Sequence, residues 1–184
     1  MHAVEIKRAG TEDAQLLSDL SNITFIETYR ESAPDKDLVA FANECYSEEV
    51  IRKELQDPDD YYFIAFADGF PVGYMRLTED EPNYPLEKKY RAIHLKRIYV
   101  LKEYHSKRIG AALMSFALRF AEEKNYDLVW LGVWEHNPKA MSFYKKWGFT
   151  DIDHPHEFYV GNTVHTDYWL TKFIIGEHVT GTSL

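Results

Sequence analysis

The chain has a single cysteine, Cys45, among 184 residues, so no internal disulfide can form and a reducing, cytoplasmic setting is expected. No apolar run approaches ~18 residues, so no membrane span is expected. The opening MHAVEIKRAG lacks the apolar core of a secretion signal, so no signal peptide is expected. Glycine and proline are few, at 9 and 7, and no repeat or low-complexity stretch occurs, which excludes a collagen-like chain. Positive charge is in deficit: 21 Lys+Arg stand against 30 Asp+Glu, a formal net charge of −9. Nucleic acid is therefore not an expected partner, because such binding is driven by neutralising phosphates. The acidity is compatible with a cationic small molecule, although solubility is the better explanation of it. His154, His156 and His165 have no metal-ligand spacing and no cysteine beside them, so no metal is expected.

What the chain does have is an ordinary apolar fraction, 45%, and many aromatics, 15%. That is enough for one compact domain with its own core. We place the domain at residues 1–175 and a flexible polar tail at 176–184. Val4 to Arg8 reads as a strand. Thr11 reads as a helix cap, followed by the stripe Leu16, Leu17, Leu20, Ile23 and Phe25 to Tyr29. Asp37 to Tyr46 reads as a second helix, and Ser47 caps a third. Tyr61 to Ala67 and Pro71 to Leu77 form a hairpin around Asp68-Gly69. The acidic, Pro-containing stretch Glu79 to Pro85 reads as a long loop. Ala92 to Leu101 is a strand, and a helix follows from Ile109. Leu128 to Trp134 has the continuous apolar character of a strand buried on both faces. Asn137-Pro138 opens another helix, Gly148 follows its end, and Phe158 to Val160 and Tyr168 to Ile174 complete a mixed α/β domain of roughly seven strands.

Two stretches carry chemistry. In Arg97 to Met114 a strand ends in a short basic turn, and Gly110, Ala111 and Ala112 begin a helix. Unpaired N–H groups and the helix dipole at such a junction can cradle a phosphate, with His105, Ser106, Lys107 and Arg108 adding donors and charge. The same residues also describe an ordinary strand–helix junction. The second stretch runs from Trp134 through Asn137 and Ala140 to Phe143, Tyr144, Gly148 and Phe149.

Together these stretches resemble the GNAT superfamily of N-acetyltransferases. That family carries V-x-x-x-[QR]-x-x-G-x-[GA] after its fourth strand and N-x-x-A-x-x-F-Y-x-x-x-G-F after its fifth. Asn137, Ala140, Phe143, Tyr144, Gly148 and Phe149 match the second motif at every fixed position. The first motif is altered: counted from Val100, His105 replaces Gln/Arg and Arg108 replaces a glycine. Within the superfamily the chain looks most like the PaiA-type polyamine acetyltransferases, on Thr24-Phe25-x-x-Thr28-Tyr29, Arg97 to Val100, Trp130 to Glu135, and His156-x-Phe158-Tyr159-x-Gly161 with Asp167.

The resemblance implies an α/β fold of the α+β kind. Its sheet is mixed, mostly antiparallel and of about seven strands, flanked by helices, with a V-shaped opening between strands 4 and 5. It implies acetyl-CoA as co-substrate, held by the strand edge Ile98, Tyr99 and Val100, by the turn His105, Ser106, Lys107, Arg108, Ile109, Gly110 and Ala111, and by Asn137 and Tyr144. Arg108 either pairs with a phosphate or merely tolerates the turn. Asn137 either contacts the cofactor or caps its helix. Tyr144, a phenol protonated at neutral pH, suits the acid that protonates the thiolate, although it could be a core aromatic. The attacking amine needs a base. The glutamate that many members carry on strand 4 is absent, and His94 stands in that region as a candidate, or as a plain strand residue. Lys96 shares its face by strand periodicity and would repel a cation. Glu27, Tyr29 and Glu135 are candidate acceptor contacts.

The expected activity is acetylation of a small-molecule primary amine, with a polyamine such as spermidine or spermine as the leading acceptor, by direct attack in a ternary complex. The alternatives are another amine (an amino acid, an antibiotic or a protein N-terminus) or an acetyl-CoA sensor without turnover. An edge strand near the C-terminus could pair two chains into a homodimer.

Overall fold

The structure, a computed structural model, describes residues 4–79, 84–86 and 89–174. The loop expected over Glu79 to Pro85 lies largely outside these residues, and the tail at 176–184 wholly so. In chain order the elements are β1 (Val4–Arg8), α1 (Ala14–Tyr29), α2 (Asp35–Tyr46), α3 (Glu48–Gln56), β2 (Asp60–Ala67), β3 (Phe70–Thr78), β4 (Ala92–Val100), α4 (Ile109–Glu123), β5 (Leu128–Trp134), α5 (Pro138–Lys146), β6 (Thr150–Val160) and β7 (Thr163–Phe173). They build one sheet of seven strands in the order β1-β2-β3-β4-β5-β7-β6. Every pairing is antiparallel except β4 with β5.

The turn and helix-end signals of the sequence act as expected at two places. Asp68 and Gly69 both take positive φ, 50° and 84°, the two left-handed positions of a tight hairpin turn. Gly148, at φ 82°, ends α5. Thr11 is not a cap. The chain enters α1 through a short 3₁₀ turn, Thr11–Asp13, and the Asp13 carboxylate accepts from the Gly10 N–H at 2.9 Å. Ser47 stands at the start of α3 but makes no side-chain cap bond. Strands β6 and β7 are much longer than their apolar stretches. β6 is an exposed edge with a break in register between Asp151 and Pro155, so alternation does not mark it.

Two features of β4 position the site. First, β4 pairs with β5 only at Ala92, Ile93 and His94, and beyond that point the strands part into the V. Past the divergence β4 continues with β3 and β5 with β7. Second, the β3–β4 register shifts so that Leu95 faces Leu77 and Arg97 faces Arg76, with Lys96 as the extra residue of a bulge. Period-two alternation therefore fails across Lys96. Ile93, Leu95, Ile98 and Val100 pack with the core under α4. Tyr99 instead belongs to the opposite cluster, with α1.

Candidate active site

The open end of the V gathers four polar side chains from four elements. Tyr99 comes from β4, Tyr144 from α5, Tyr29 from the last residue of α1, and Asp167 from β7. They lie close enough to act on one another's ionisation: Asp167 raises the pKa of Tyr29, Tyr99 and Tyr144, behind burial in each case. Tyr144 belongs to the core on the α4–α5 side of the sheet, whereas Tyr29 packs with α2 on the other side. The gap between β4 and β5 is what lets groups from both sides meet.

Asp167 is the unusual member. It pairs in register with Trp134 of β5, and its side chain leans over Gly132, whose added Cβ would stand 2.9 Å from Asp167 Oδ2. Oδ1 is buried and has no hydrogen-bond partner. Burial pushes the carboxyl up to about 7, and no cation among the described residues offsets it. A buried carboxylate without a partner is costly to keep, and such groups concentrate where a ligand or a proton transfer needs them.

Beside it lies a second unpartnered group. His165, two residues before Asp167 and on the same face of β7, is 3% exposed, and its Nε2 is buried without a partner. Its ring stacks on Phe158 at 5.1 Å and meets Trp134 and Tyr29 edge-on at 5.5 and 6.2 Å. Burial, and then His136, lower its pKa, so the ring is neutral. Trp134 Nε1 is the third buried atom here without a partner.

On the other side of the V, β4 runs into the turn before α4. Ser106 and Arg108 both sit in the left-handed region, at φ 68° and 64°. The turn therefore keeps a glycine-like backbone with arginine in it, at a cost of about 1–2 kcal/mol. The first α-helical bond of α4 is Ala112 N–H to Arg108 O at 3.0 Å, so the N–H groups of Ile109, Gly110 and Ala111 have no acceptor within the helix. Gly110 takes no positive φ, and a Cβ there would meet only Phe143 Cζ, at 3.9 Å. Neither backbone nor packing requires glycine at this position; close approach of a ligand would.

The remaining sequence candidates separate. His94 stacks on Trp130, ring centroids 3.6 Å apart, and Tyr84 stacks on the same indole at 4.4 Å. This trio lies at the closed end of the V. Trp130 and Trp134 are four residues apart on β5, about 13 Å, so His94 is not brought to Tyr144 and Asp167. The Glu27 carboxylate accepts from the Lys102 N–H at 3.0 Å and so ties α1 to the turn before α4. His105 Nε2 lies 2.9 Å from the Val100 carbonyl oxygen, within its own loop. Asn137 caps α5, its Oδ1 accepting from the Ala140 N–H at 3.1 Å. Glu135 is exposed, 3.8 Å from His136. Lys96, on its bulge, is exposed and acts on Cys45 of α2 rather than on Asp167.

The sequence marks Asp167 only through the family resemblance and assigns it no role. The cause is local: the apolar stretch from Tyr168 predicts a strand that begins there and leaves Asp167 outside it. The usable signal is an acid between His165 and Trp169 on the alternating face of β7, diagonal to the small Gly132 of β5.

Comparison with known proteins agrees with this fold. Over 175 residues, 95% of this chain and 100% of the relative, the sequence is 28% identical to an uncharacterized N-acetyltransferase of Lactobacillus delbrueckii subsp. lactis. It is 28% identical over 151 residues, 80% of this chain and 88% of the relative, to the spermidine N(1)-acetyltransferase of Thermoplasma acidophilum. In fold it resembles the crystal structure of the PaiA N-acetyltransferase of that organism in complex with coenzyme A. The TM-score is 0.76 at 24% identity, covering 93% of this chain and 99% of the other. The family model described as "Acetyltransferase (GNAT) family" matches residues 23–149, a span from α1 to the end of the second motif that includes the V, and the chain is accordingly a member of that family of acetyl-CoA-dependent acyltransferases.

Proposed function

We propose that the protein acetylates a primary amine of a polyamine such as spermidine or spermine, with both substrates bound together in the V. The observation that carries this reading is Asp167: a carboxylate beside Tyr144 with one oxygen buried and unpartnered, which no cation among the described residues balances. A substrate ammonium supplies the missing charge. The named spermidine acetyltransferase among the relatives and the net charge of −9 favour the polyamine class.

The residues present fit acetyl-CoA, which supplies the activated acetyl group. The free N–H groups at Ile109, Gly110 and Ala111, with Arg108, Lys107 and Ser106, would hold the pyrophosphate. The edge of Ile98, Tyr99 and Val100 that faces the gap would meet the pantetheine amides. Asn137 has committed its side-chain oxygen to the cap, so only its amide NH₂ remains for this purpose.

Asp167 first attracts the ammonium and then takes its proton, leaving the nitrogen able to attack the thioester carbon. Burial and the neighbouring carboxylate hold the Tyr144 phenol above its usual value, so it stays protonated throughout the working range. Tyr144 gives its proton to the departing thiolate. The second proton of the acylated nitrogen leaves to solvent and the phenol is restored from solvent, so the net products are the acetamide, the free thiol and one proton.

The test is thiol release from acetyl-CoA with spermidine, spermine and a panel of other amines. Saturable turnover on polyamines supports the reading. Turnover confined to other amines removes the polyamine assignment, and acetyl-CoA binding without any turnover returns the protein to a sensor.

A further inference from the structure

The Asp167 carboxylate accounts for one nitrogen of an acceptor. It does not account for His165, whose Nε2 is equally buried and unpartnered. Natural folds rarely leave such atoms unsatisfied, and those that do generally meet a ligand or water there. The surroundings narrow the choice. The walls are Phe158 at 5.1 Å, Trp134 at 5.5 Å and Tyr29 at 6.2 Å from the His165 ring, and Tyr29 and Trp134 are themselves 5.0 Å apart. Aromatic faces carry negative potential and attract a desolvated cation. A neutral imidazole can accept a hydrogen bond at Nε2, and burial together with His136 keeps this one neutral. The Trp134 N–H is a donor and takes no part in holding a cation; its ring does.

Resting on the polyamine reading above, we propose that His165, walled by Tyr29, Trp134 and Phe158, binds a second nitrogen of the acceptor while Asp167 holds the one that is acetylated. The spacing sets the substrate class. His165 and Asp167 are two residues apart on one face of β7, about 7 Å between Cα atoms. Two nitrogens joined by three or four carbons stand about 5–6 Å apart when extended, given bonds of about 1.5 Å. The acceptor is therefore an aminopropyl or aminobutyl amine rather than a monoamine, and a much shorter diamine cannot reach both groups.

The experiment compares kcat/KM for 1,3-diaminopropane and putrescine with that for propylamine and butylamine, at saturating acetyl-CoA. The wild-type protein is expected to prefer each diamine over its matched monoamine by about ten-fold or more. In His165→Leu that ratio should fall toward one. His165→Gln, which keeps a polar acceptor, should retain a larger ratio than leucine and stands in if leucine fails to fold. Equal treatment of diamines and monoamines by the wild-type protein overturns the inference. So does a diamine preference that survives both substitutions, and in that outcome the polyamine reading still stands. If acetyl-CoA is consumed only with amines that are neither diamines nor polyamines, the polyamine reading fails and the second-nitrogen site fails with it.

Discussion

The Asp167 carboxylate occupies the space that a side chain on Gly132 would need: a Cβ there would come within 2.9 Å of Oδ2. Gly132 is the small residue in an otherwise bulky β5, Leu128–Trp134, and its lack of a side chain leaves room for a carboxylate from the neighbouring strand. Gly132→Ala should leave the sheet intact but push the carboxylate aside. We expect kcat/KM to fall ten- to a hundred-fold, as about 1 Å of misplacement can do, with the circular dichroism spectrum unchanged. Full activity in a folded Gly132→Ala protein would mean that the carboxylate position is not critical.

Asp167 gives two pH dependences of opposite kind. As a base it must be ionised, so kcat/KM should rise as pH increases through about 7, and Asp167→Asn should lose that limb along with ~10²–10⁴ of the rate. Stability runs the other way. The folded carboxyl titrates near 7 and the unfolded one near 3.8, so the folded state holds the extra proton between those values. The stability this contributes is fully present below about 3.8 and is lost as pH rises through about 7, a change of up to about 4 kcal/mol. Asp167→Asn should therefore raise Tm at pH 8 and raise it far less at pH 5. Melting curves at the two pH values decide the point.

Tyr144→Phe removes one hydroxyl from a buried ring that packs against Phe143 and Phe149. The packing survives, so the fold should too. If the hydroxyl protonates the thiolate, kcat should fall by ~10²–10⁴ with little change in KM for acetyl-CoA. An unchanged kcat in an active preparation would return Tyr144 to the core.

Arg108 holds a left-handed conformation that glycine adopts freely. Arg108→Gly should stabilise the protein by about 1 kcal/mol. It should also weaken acetyl-CoA binding several-fold if the guanidinium meets a phosphate. Arg108→Asn, which tolerates the same backbone but carries no charge, separates the two effects. Equal or tighter acetyl-CoA binding by both variants, measured by titration calorimetry, would show that the arginine serves the turn alone.

The legible parts of this fold are those written locally. Asp68-Gly69, Asn137-Pro138, Gly148 and the apolar Leu128–Trp134 each specify their own conformation, and each is found where it was read. The V was legible only through family resemblance, since an apolar run on both strands permits a parting without requiring one. The bulge at Lys96 was not legible, because its cause is the register against β3 and not the sequence of β4. Asp167 and His165 share that difficulty. Their significance lies in what surrounds them on β5, β6, α1 and α5, and a strand as polar and exposed as β6 sends no periodic signal that would align its neighbours. His94 shows the converse: a residue type suited to catalysis, placed against an indole at the far end of the gap.

Three residue pairs are all that join β4 to β5 along the seam of the sheet. The sheet thus has two leaves on a short ladder, one of β1 to β4 and one of β5 to β7, with the core under α4 packing against both. Whatever lies along the gap from Ile98 to Tyr144 touches both leaves and acts as a splint between them. Substrate binding and cohesion of the domain then become the same event, so the protein should melt later and exchange its amide hydrogens more slowly along the gap when loaded.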